Sequence, residues 1–206
     1  MDVAEIEVLL QPYLGERTLT SFQLELISTY VNIFIKWNER TNLTSIRNPR
    51  EIVQRHFGES LFAATQLLAP DSRITTADVG SGAGFPGLPL KIFVPDLQLT
   101  LIEAHSKKNT FLREVVRSLE LSGVEVLLSR AEQVERRFQL VTMRAVEQFS
   151  ALLPILGRLV TDDGRLALMI GENQRILAVE SLPGEWADPI RIPNSTSRIL
   201  LVRRRS

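Results

Sequence analysis

A glycine-rich stretch that follows a predicted β-strand is the first part of the sequence that points to chemistry. It reads "DVGSGAGFPGLPL" from Asp78 to Leu90 and places glycine at positions 80, 82, 84 and 87. A turn of this kind between a strand and a helix brings backbone N–H groups close to a bound anion or cofactor. The spacing of the glycines indicates which class of ligand the turn holds.

Two common ligand classes do not fit that spacing. The dinucleotide pattern G-x-G-x-x-G needs a third glycine where this sequence has Phe85. A phosphate-binding P-loop needs Gly-Lys-Ser/Thr, which the turn lacks. The pattern D-x-G-x-G-x-G is instead typical of the turn that holds S-adenosylmethionine (SAM) in methyltransferases. We therefore predict a SAM site that contains Asp78, Gly80, Gly82 and Gly84.

Acidic residues close the neighbouring predicted strands. Asp78 ends the first strand, where it can accept from the cofactor's ammonium group directly or through water. Glu103 ends the second strand, and a carboxylate there has two acceptor oxygens for the two ribose hydroxyls. Ala131 and Glu132 follow the third strand, where we expect the adenine. Either the Glu132 carboxylate accepts from the adenine amino group or the Ala131 N–H donates to a ring nitrogen.

The residues that are missing limit the atom that can receive a methyl group. The chain has no cysteine, which excludes covalent attack on a pyrimidine at carbon 5. No Asn/Asp-Pro-Pro-Tyr motif follows the fourth predicted strand, and no lysine lies where ribose methylation needs one. The acceptors that remain need no general base, and guanine N7 is one of them. Arg144, at the end of the fourth strand, can orient a guanine through O6 or hold a phosphate.

The predicted elements that position these residues alternate between strands and helices from Arg73 onward. This pattern predicts an α/β fold with a doubly wound, mostly parallel sheet of seven strands, the last two in an antiparallel hairpin. Residues 1–70 are predicted to form a helical N-terminal extension and residues 71–206 the methyltransferase domain, both in one compact unit. The predicted strands are "RITTADVG", "LQLTLIEA", "VEVLLSRA", "FQLVTMRA", "GRLALMIG", "ADPIRIP" and "SRILLVRR".

Two helix boundaries follow from particular residue types. Phe85 precedes a proline and is disfavoured in a helix, so the helix after the glycine turn is predicted to begin at about Pro86. Pro89 then fits within its first turn, where no intrahelical N–H is lost. A later helix is predicted to be capped by Ser106 and to end at Gly123.

The composition excludes several other classes of protein. The formal net charge is zero, but the cations are 20 arginines and only 4 lysines, and arginine suits bidentate phosphate contacts. Without cysteine and with two histidines, we expect no disulfide and no metal site. The N-terminal stretch lacks the features of a signal peptide, and no apolar run is long enough to span a membrane. We expect a cytoplasmic protein and favour a monomer as its oligomeric state.

Motifs along nearly the whole chain carry a resemblance to a known family. They read "WNERTNLTSI" from Trp37, "RHFGES" from Arg55, the glycine turn, "KKNTFLREV" from Lys107, "SRAE" from Ser129 and "RAV" from Arg144. With these motifs the protein resembles the bacterial 16S ribosomal RNA guanine-N7 methyltransferases (RsmG, also called glucose-inhibited division protein B). The Phe-Pro-Gly-Leu-Pro extension of the turn is the most diagnostic motif, because other methyltransferases rarely place two prolines there.

The resemblance implies a class I SAM-dependent methyltransferase with a Rossmann-like sheet. It implies SAM as cofactor, and one guanine in the decoding region of 16S rRNA, in the small ribosomal subunit, as target. Arg144 is a candidate for orienting the substrate, and His56 is a second catalytic candidate, although its apolar neighbours favour a packing role. The residues implied to line the cofactor site are Gly80, Phe85, Glu103, Ala104, His105, Ala131, Glu132 and Arg144.

Six basic residues are candidates for contact with RNA, and only their clustering in space would distinguish them from ordinary surface residues. They are Arg47, Arg50, Arg55, Lys107, Lys108 and Arg113. Two positions depart from the family pattern: Glu59 stands where the family usually has aspartate, and Ile170 where many members have lysine. Two alternative functions remain open, a SAM-dependent methyltransferase of a small molecule and a SAM-binding ribosome assembly factor.

Overall fold

The structure, a computed structural model, describes residues 1–144 and 149–204 of the chain. Ala145 and Val146 of the "RAV" motif therefore lie outside the described residues. A π-helical segment, Val53–Gly58, connects two of the α-helices without a break in the helical backbone. The α-helices are α1 (Val3–Leu14), α2 (Ser21–Thr41), α3 (Pro49–Ile52), α4 (Glu59–Leu67), α5 (Gly87–Phe93), α6 (Ser106–Ser118), α7 (Phe149–Leu159) and α8 (Arg175–Ser181).

A single twisted sheet lies between the helices. Its strands are β1 (Thr75–Val79), β2 (Gln98–Glu103), β3 (Val124–Leu128), β4 (Phe138–Arg144), β5 (Val160–Gly171), β6 (Glu185–Trp186), β7 (Ile190–Arg191) and β8 (Arg198–Arg204). The strand order is β3-β2-β1-β4-β5-β8-β6, and β7 also pairs with β8. Strands β1 to β5 are parallel, whereas β8 is antiparallel to β5.

The sheet is seven strands wide because β6 and β7 are two pieces of one interrupted edge strand. Both pair with β8, on the edge that β5 leaves open. Pro189 lies between the two pieces and has no N–H to donate to the sheet. The predicted seven-stranded, mostly parallel sheet with a final antiparallel pair is therefore confirmed.

The core has two parts, one on each face of the sheet, because consecutive strand side chains point to opposite faces. On one face α5 and α6 pack with α1, α2 and α4 over residues such as Leu101. On the other face α7 and α8 pack over residues such as Ile102. The helices of residues 1–70 thus share an apolar core with α5 and α6. The division of the chain at residue 70 stays a prediction.

One predicted helix has different ends in the structure. Ser106 is the first helical residue of α6, and His105, in an extended conformation, takes the N-cap position instead. The helix ends at Ser118 rather than near Gly123, because Glu120 adopts a left-handed conformation with φ of 50°. Gly123, with φ of 66°, then directs the chain into β3.

Candidate functional site

The glycine turn is anchored by the carboxylate of Asp78. Its Oδ2 accepts from the N–H of Gly87 at 3.2 Å, and its Oδ1 accepts from the hydroxyl of Thr142 at 2.8 Å. Asp78 and Thr142 are direct neighbours in the β1–β4 register, so both side chains lie on one face of the sheet. Burial raises the pKa of Asp78 to about 6, and the two hydrogen bonds oppose that rise. The carboxylate thus lies inside the protein, beneath the turn.

The turn needs glycine at three successive alternate positions. Gly80, Gly82 and Gly84 have φ of 65°, 58° and 88°, a region that residues with a Cβ rarely adopt. A Cβ on Gly84 would also lie 2.5 Å from side-chain atoms of Tyr30 and Leu88. The helix that follows begins at Gly87, after Pro86 at the N-cap, as the prolines predict.

Glu103 stands between two neighbouring cavities. Its Oε2 accepts from the N–H of Gly82 at 2.8 Å, and its Oε1 accepts from the N–H of His105 at 2.7 Å. The first cavity, of about 380 Å³, is lined by Glu103, Ala104, His105, Leu128, Ser129, Arg130 and Gln133. The second, of about 180 Å³, is lined by Phe34, Leu43, His56, Gly80, Ser81, Gly82, Ala83, Phe85, Lys108 and Arg144. The Glu103–Gly82 hydrogen bond therefore connects the walls of the two cavities.

Arg144 and His56 form a hydrogen-bonded pair in the second cavity. Nη2 of Arg144 donates to Nδ1 of His56 at 2.7 Å, and Nη1 donates to the carbonyl of Arg55 at 2.9 Å. A guanidinium only donates, so Nδ1 carries no hydrogen and Nε2–H donates to the hydroxyl of Thr44 at 3.1 Å. The guanidinium lies 5.2 Å from the ring centroid of Phe85, on which the imidazole stacks at 5.0 Å.

The electrostatics keep His56 uncharged. Burial lowers the pKa of His56 to about 2, and the positive charges of Arg144 and Arg55 act in the same direction. A neutral ring whose two nitrogens both bond within the protein orients its neighbours, and it has no site left to take a proton from a substrate. Burial also lowers the pKa of the Arg144 guanidinium, while the charges of Glu59 and Asp78 oppose that shift.

The N-terminal helices pack aromatic rings around Phe85, which lines the second cavity. The ring of Tyr30 stacks on Phe85 at 5.5 Å, with 5° between the two planes, and its hydroxyl donates to the carbonyl of Ala83. Phe34 and Phe57 contact the ring of Phe85 edge-on. The π-helical turn that carries Phe57 and His56 is too short to have a periodicity of its own in the sequence. Such turns occur frequently at functional sites.

The strand end beside the first cavity differs in detail from the prediction. Ala131 is buried and Glu132 is exposed, and neither is among the described residues that line this cavity. Ser129, Arg130 and Gln133, none of them a predicted site residue, lie there instead. All three follow the end of β3, and two signals could have found Ser129 and Arg130: their position after a strand end and their place in the "SRAE" motif.

The six candidate RNA contacts do not form one patch of unpartnered cations. Lys107 is exposed, Lys108 lines the second cavity, and Arg55 pairs with Glu59. The other three guanidinium groups are bound by the chain itself: Arg47 by the carbonyl of Asn38, Arg50 by Glu5, and Arg113 by the carbonyl of Val126.

Within residues 1–144 and 149–204, no group of three or more histidine, cysteine, aspartate or glutamate side chains is arranged to hold a metal ion. The same two ranges contain no helix with the length and apolar character that crossing a membrane requires.

Comparison with known sequences places the chain in a family. A model of the family described as rRNA small subunit methyltransferase G (GidB) matches residues 23–181. A relative of that name from Xylella fastidiosa strain 9a5c is 39% identical over 85% of this chain and 84% of its own. Another from Chromobacterium violaceum is 41% identical over 90% of both chains. The chain belongs to the rRNA small subunit methyltransferase G family.

Solved structures confirm the fold of this family member. A SAM-dependent methyltransferase from Aquifex aeolicus superposes with a TM-score of 0.64 at 16% identity, over 81% of this chain and 98% of that one. A ribosomal protein L11 methylase from Lactobacillus delbrueckii subsp. bulgaricus gives 0.61 at 15% identity, over 74% and 79%. The predicted class I methyltransferase fold is therefore confirmed.

One of the two departures from the family pattern lies away from the cavities. Ile170 is buried among apolar residues under α7 and α8, and it pairs with Ile199 of β8. The other, Glu59, is also buried, and it contacts three arginine side chains beside the second cavity.

The histidine in the second cavity makes the stability of this protein sensitive to acid. In the unfolded chain His56 has its ordinary pKa of 6.5, whereas in the folded protein its pKa is lowered to about 2. As the pH falls below 6.5, only the unfolded chain therefore gains this proton. Folded-state stability is therefore lost as the pH falls. From pH 7.5 to 5.0 we expect the wild type to lose roughly 2 kcal/mol more than His56→Gln, measured by urea unfolding. Asp78 titrates in both proteins and cancels, and equal losses would contradict the assignment.

Proposed function

We propose that this protein transfers the methyl group of SAM to N7 of a guanine in the 16S rRNA of the small ribosomal subunit. Membership in the rRNA small subunit methyltransferase G family supports the substrate class. The observation that carries the choice of atom is the lining of the second cavity. The described residues that line this cavity include no carboxylate. The imidazole of His56 is neutral, and each of its two ring nitrogens forms a hydrogen bond within the protein. Guanine N7 has a lone pair and no proton to lose, so it is an acceptor that such a cavity can serve.

The residues between the cavities fit SAM. Each oxygen of Glu103 accepts one hydrogen bond in the protein, and a carboxylate oxygen has a second lone pair for a ribose hydroxyl. We therefore assign the adenosine to the first cavity, beside Ala104 and His105. We assign the methionine part to the turn, where Gly80 and Gly82 present backbone without a Cβ. When bound, SAM supplies an electrophilic methyl group on a sulfonium.

Asp78 contributes by shaping the turn. Its carboxylate is fully buried and accepts from Gly87 and Thr142, so we assign it to hold the turn in place rather than to contact the ammonium group directly. Gly84 and Phe85 complete the same turn, next to the ring of Tyr30. We propose that Ala131 and Glu132 lie next to the adenine, and the support for this is their position after β3.

Arg144 aligns the acceptor in this mechanism. Two of its five N–H groups go to Arg55 and His56, so N–H groups remain that can donate to O6 of a guanine. Because Phe85 and His56 hold the guanidinium on two sides, its donors point in fixed directions. N7 is then aligned with the methyl group, and no side chain takes a proton from it. His56 acts by positioning Arg144.

Further RNA contacts are proposed at the start of α6, for Lys107 and for Lys108, which lines the second cavity. For Arg47, Arg50 and Arg113 the proposal is that RNA competes with the partners these side chains have within the chain. Contacts of this kind fix the orientation of the RNA and carry no sequence information.

A methyl-transfer assay tests the proposed function. Labelled SAM is offered to small ribosomal subunits that lack their own N7 methyl group, and the rRNA is digested to nucleosides. We expect label in 7-methylguanosine. Tight SAM binding without transfer to rRNA would contradict the proposal, and it would favour a small-molecule substrate or an assembly factor.

Two substitutions separate cofactor binding from alignment. Glu103→Ala should raise the Kd for SAM by about 10- to 100-fold, because charge-assisted hydrogen bonds to the ribose are lost. Arg144→Ala should lower the rate of methyl transfer at saturating SAM by roughly 100-fold, because the acceptor loses its alignment. Isothermal titration and single-turnover kinetics measure the two effects, with Arg73→Ala at the opposite, amino end of β1 as control. Unchanged turnover in Arg144→Ala would show that Arg144 does not align the acceptor.

A further inference from the structure

A buried carboxylate next to the second cavity gathers three arginine side chains. Glu59, at the start of α4, has a side chain that is only 4% exposed. Its Oε1 accepts from Nε of Arg198 at 2.8 Å and forms an ion pair with Nη2 of Arg198 at 2.6 Å, and Nε of Arg55 lies 3.3 Å from the same oxygen. Its Oε2 lies 4.0 Å from Nη1 of Arg144. The π-helical segment, β4 and β8 therefore meet at one side chain.

The charges in this cluster do not balance. Arg144 interacts electrostatically with Asp78 as well as with Glu59. If the negative charge of Asp78 is taken to balance the positive charge of Arg144, the only negative charge left to balance the two guanidinium groups of Arg55 and Arg198 is that of Glu59. The cluster thus has one surplus positive charge, which favours binding of an anion.

The two outer arginines present donors to solvent. The side chains of Arg55 and Arg198 are 41% and 27% exposed, whereas that of Arg144 is 14% exposed. Arg55 uses only Nε toward Glu59, and Arg198 uses Nε and Nη2. Within the described residues, Nη1 and Nη2 of Arg55 and Nη1 of Arg198 therefore keep N–H groups for another acceptor. Because both guanidinium groups contact the same oxygen of Glu59, the two groups are close neighbours.

We propose that Arg55 and Arg198 form a phosphate clamp, which binds one phosphodiester of the rRNA backbone beside the target guanine. Glu59 acts as the positioning residue that holds both guanidinium groups in place. A phosphodiester carries one negative charge and two acceptor oxygens, and arginine forks suit this shape. Arg144, which lines the second cavity, donates to the carbonyl of Arg55, so the clamp lies directly next to the proposed base site. The inference rests on the proposed function, because that function supplies the RNA.

Binding to small ribosomal subunits as a function of salt tests the clamp. Arg55→Gln is the decisive variant, because it leaves the hydrogen bond and the ion pair between Arg198 and Glu59 in place, so the buried carboxylate keeps a partner. We expect about 10-fold weaker binding and a shallower dependence of log K on log salt, by up to about 0.7, because fewer counterions are released. Arg198→Gln should show the same two effects. The Kd for SAM should not change in either variant.

Arg73→Gln is the matched control, because Arg73 is 81% exposed and lies at the amino end of β1, away from both cavities. Arg55→Gln with the affinity and salt dependence of wild type would overturn the clamp. Equal losses of SAM binding and subunit binding would also overturn it, because they would indicate a purely structural role. Weaker binding with an unchanged salt dependence would point to a carboxylate of a ribosomal protein as the partner and would overturn the phosphate assignment.

The methylation state of the same subunits keeps the two proposals apart. If wild-type enzyme forms 7-methylguanosine and Arg55→Gln binds normally, the clamp is wrong and the proposed function stands. If wild-type enzyme transfers no label but its binding shows the salt dependence that Arg55→Gln reduces, the clamp stands and the proposed function is wrong.

Discussion

The hydrogen bonds to the buried carboxylate of Asp78 fix the site on which everything else in this protein depends. One oxygen accepts from Gly87 at the start of α5, and the other accepts from Thr142 on β4. A buried carboxylate without such donors would be costly, so the turn and the strand end are held together tightly. The same constraint explains a sequence requirement, because a Cβ on Gly87 would lie 2.9 Å from the Asp78 carboxylate. Arg144, two residues after Thr142, emerges from the same face of the sheet.

The helices of the first 70 residues are part of the site as much as the glycine turn is. Tyr30 stacks on Phe85 and donates to the turn, and the π-helical segment places His56 on Phe85 and against Arg144. The result is a cavity beside a cluster of aromatic rings, in which a guanidinium is held from two sides. Such a cavity can align a nucleophile that needs no base, and the neutral imidazole contributes to that alignment through its hydrogen bond. Glu59 connects this cavity to the protein surface, because it also contacts the partly exposed side chains of Arg55 and Arg198.

Local pattern and spacing were enough to predict the sheet and the glycine turn, and the resemblance of motifs along the chain indicated the family. The spacing of the three glycines predicts their positive φ, and Pro86 predicts where the next helix begins. Both predictions follow from backbone sterics. The contacts that complete the site could not be predicted in this way. Arg198 lies 139 residues from Glu59 in sequence, and only the packing of β8 against β5 brings them together. The π-helical segment has no periodicity of its own over so few residues.

The pH dependence of the chemical step tests the central claim, that acceptor alignment and not proton removal drives methyl transfer. The measurement is the single-turnover rate constant for transfer from saturating SAM to small ribosomal subunits between pH 7.0 and 8.5. This range lies above the pKa of about 6 that burial gives Asp78. We expect the rate constant to change by less than about twofold, because no group in the cavity must lose a proton. A rise of about tenfold per pH unit would contradict the account, because it would show that a base must first be deprotonated.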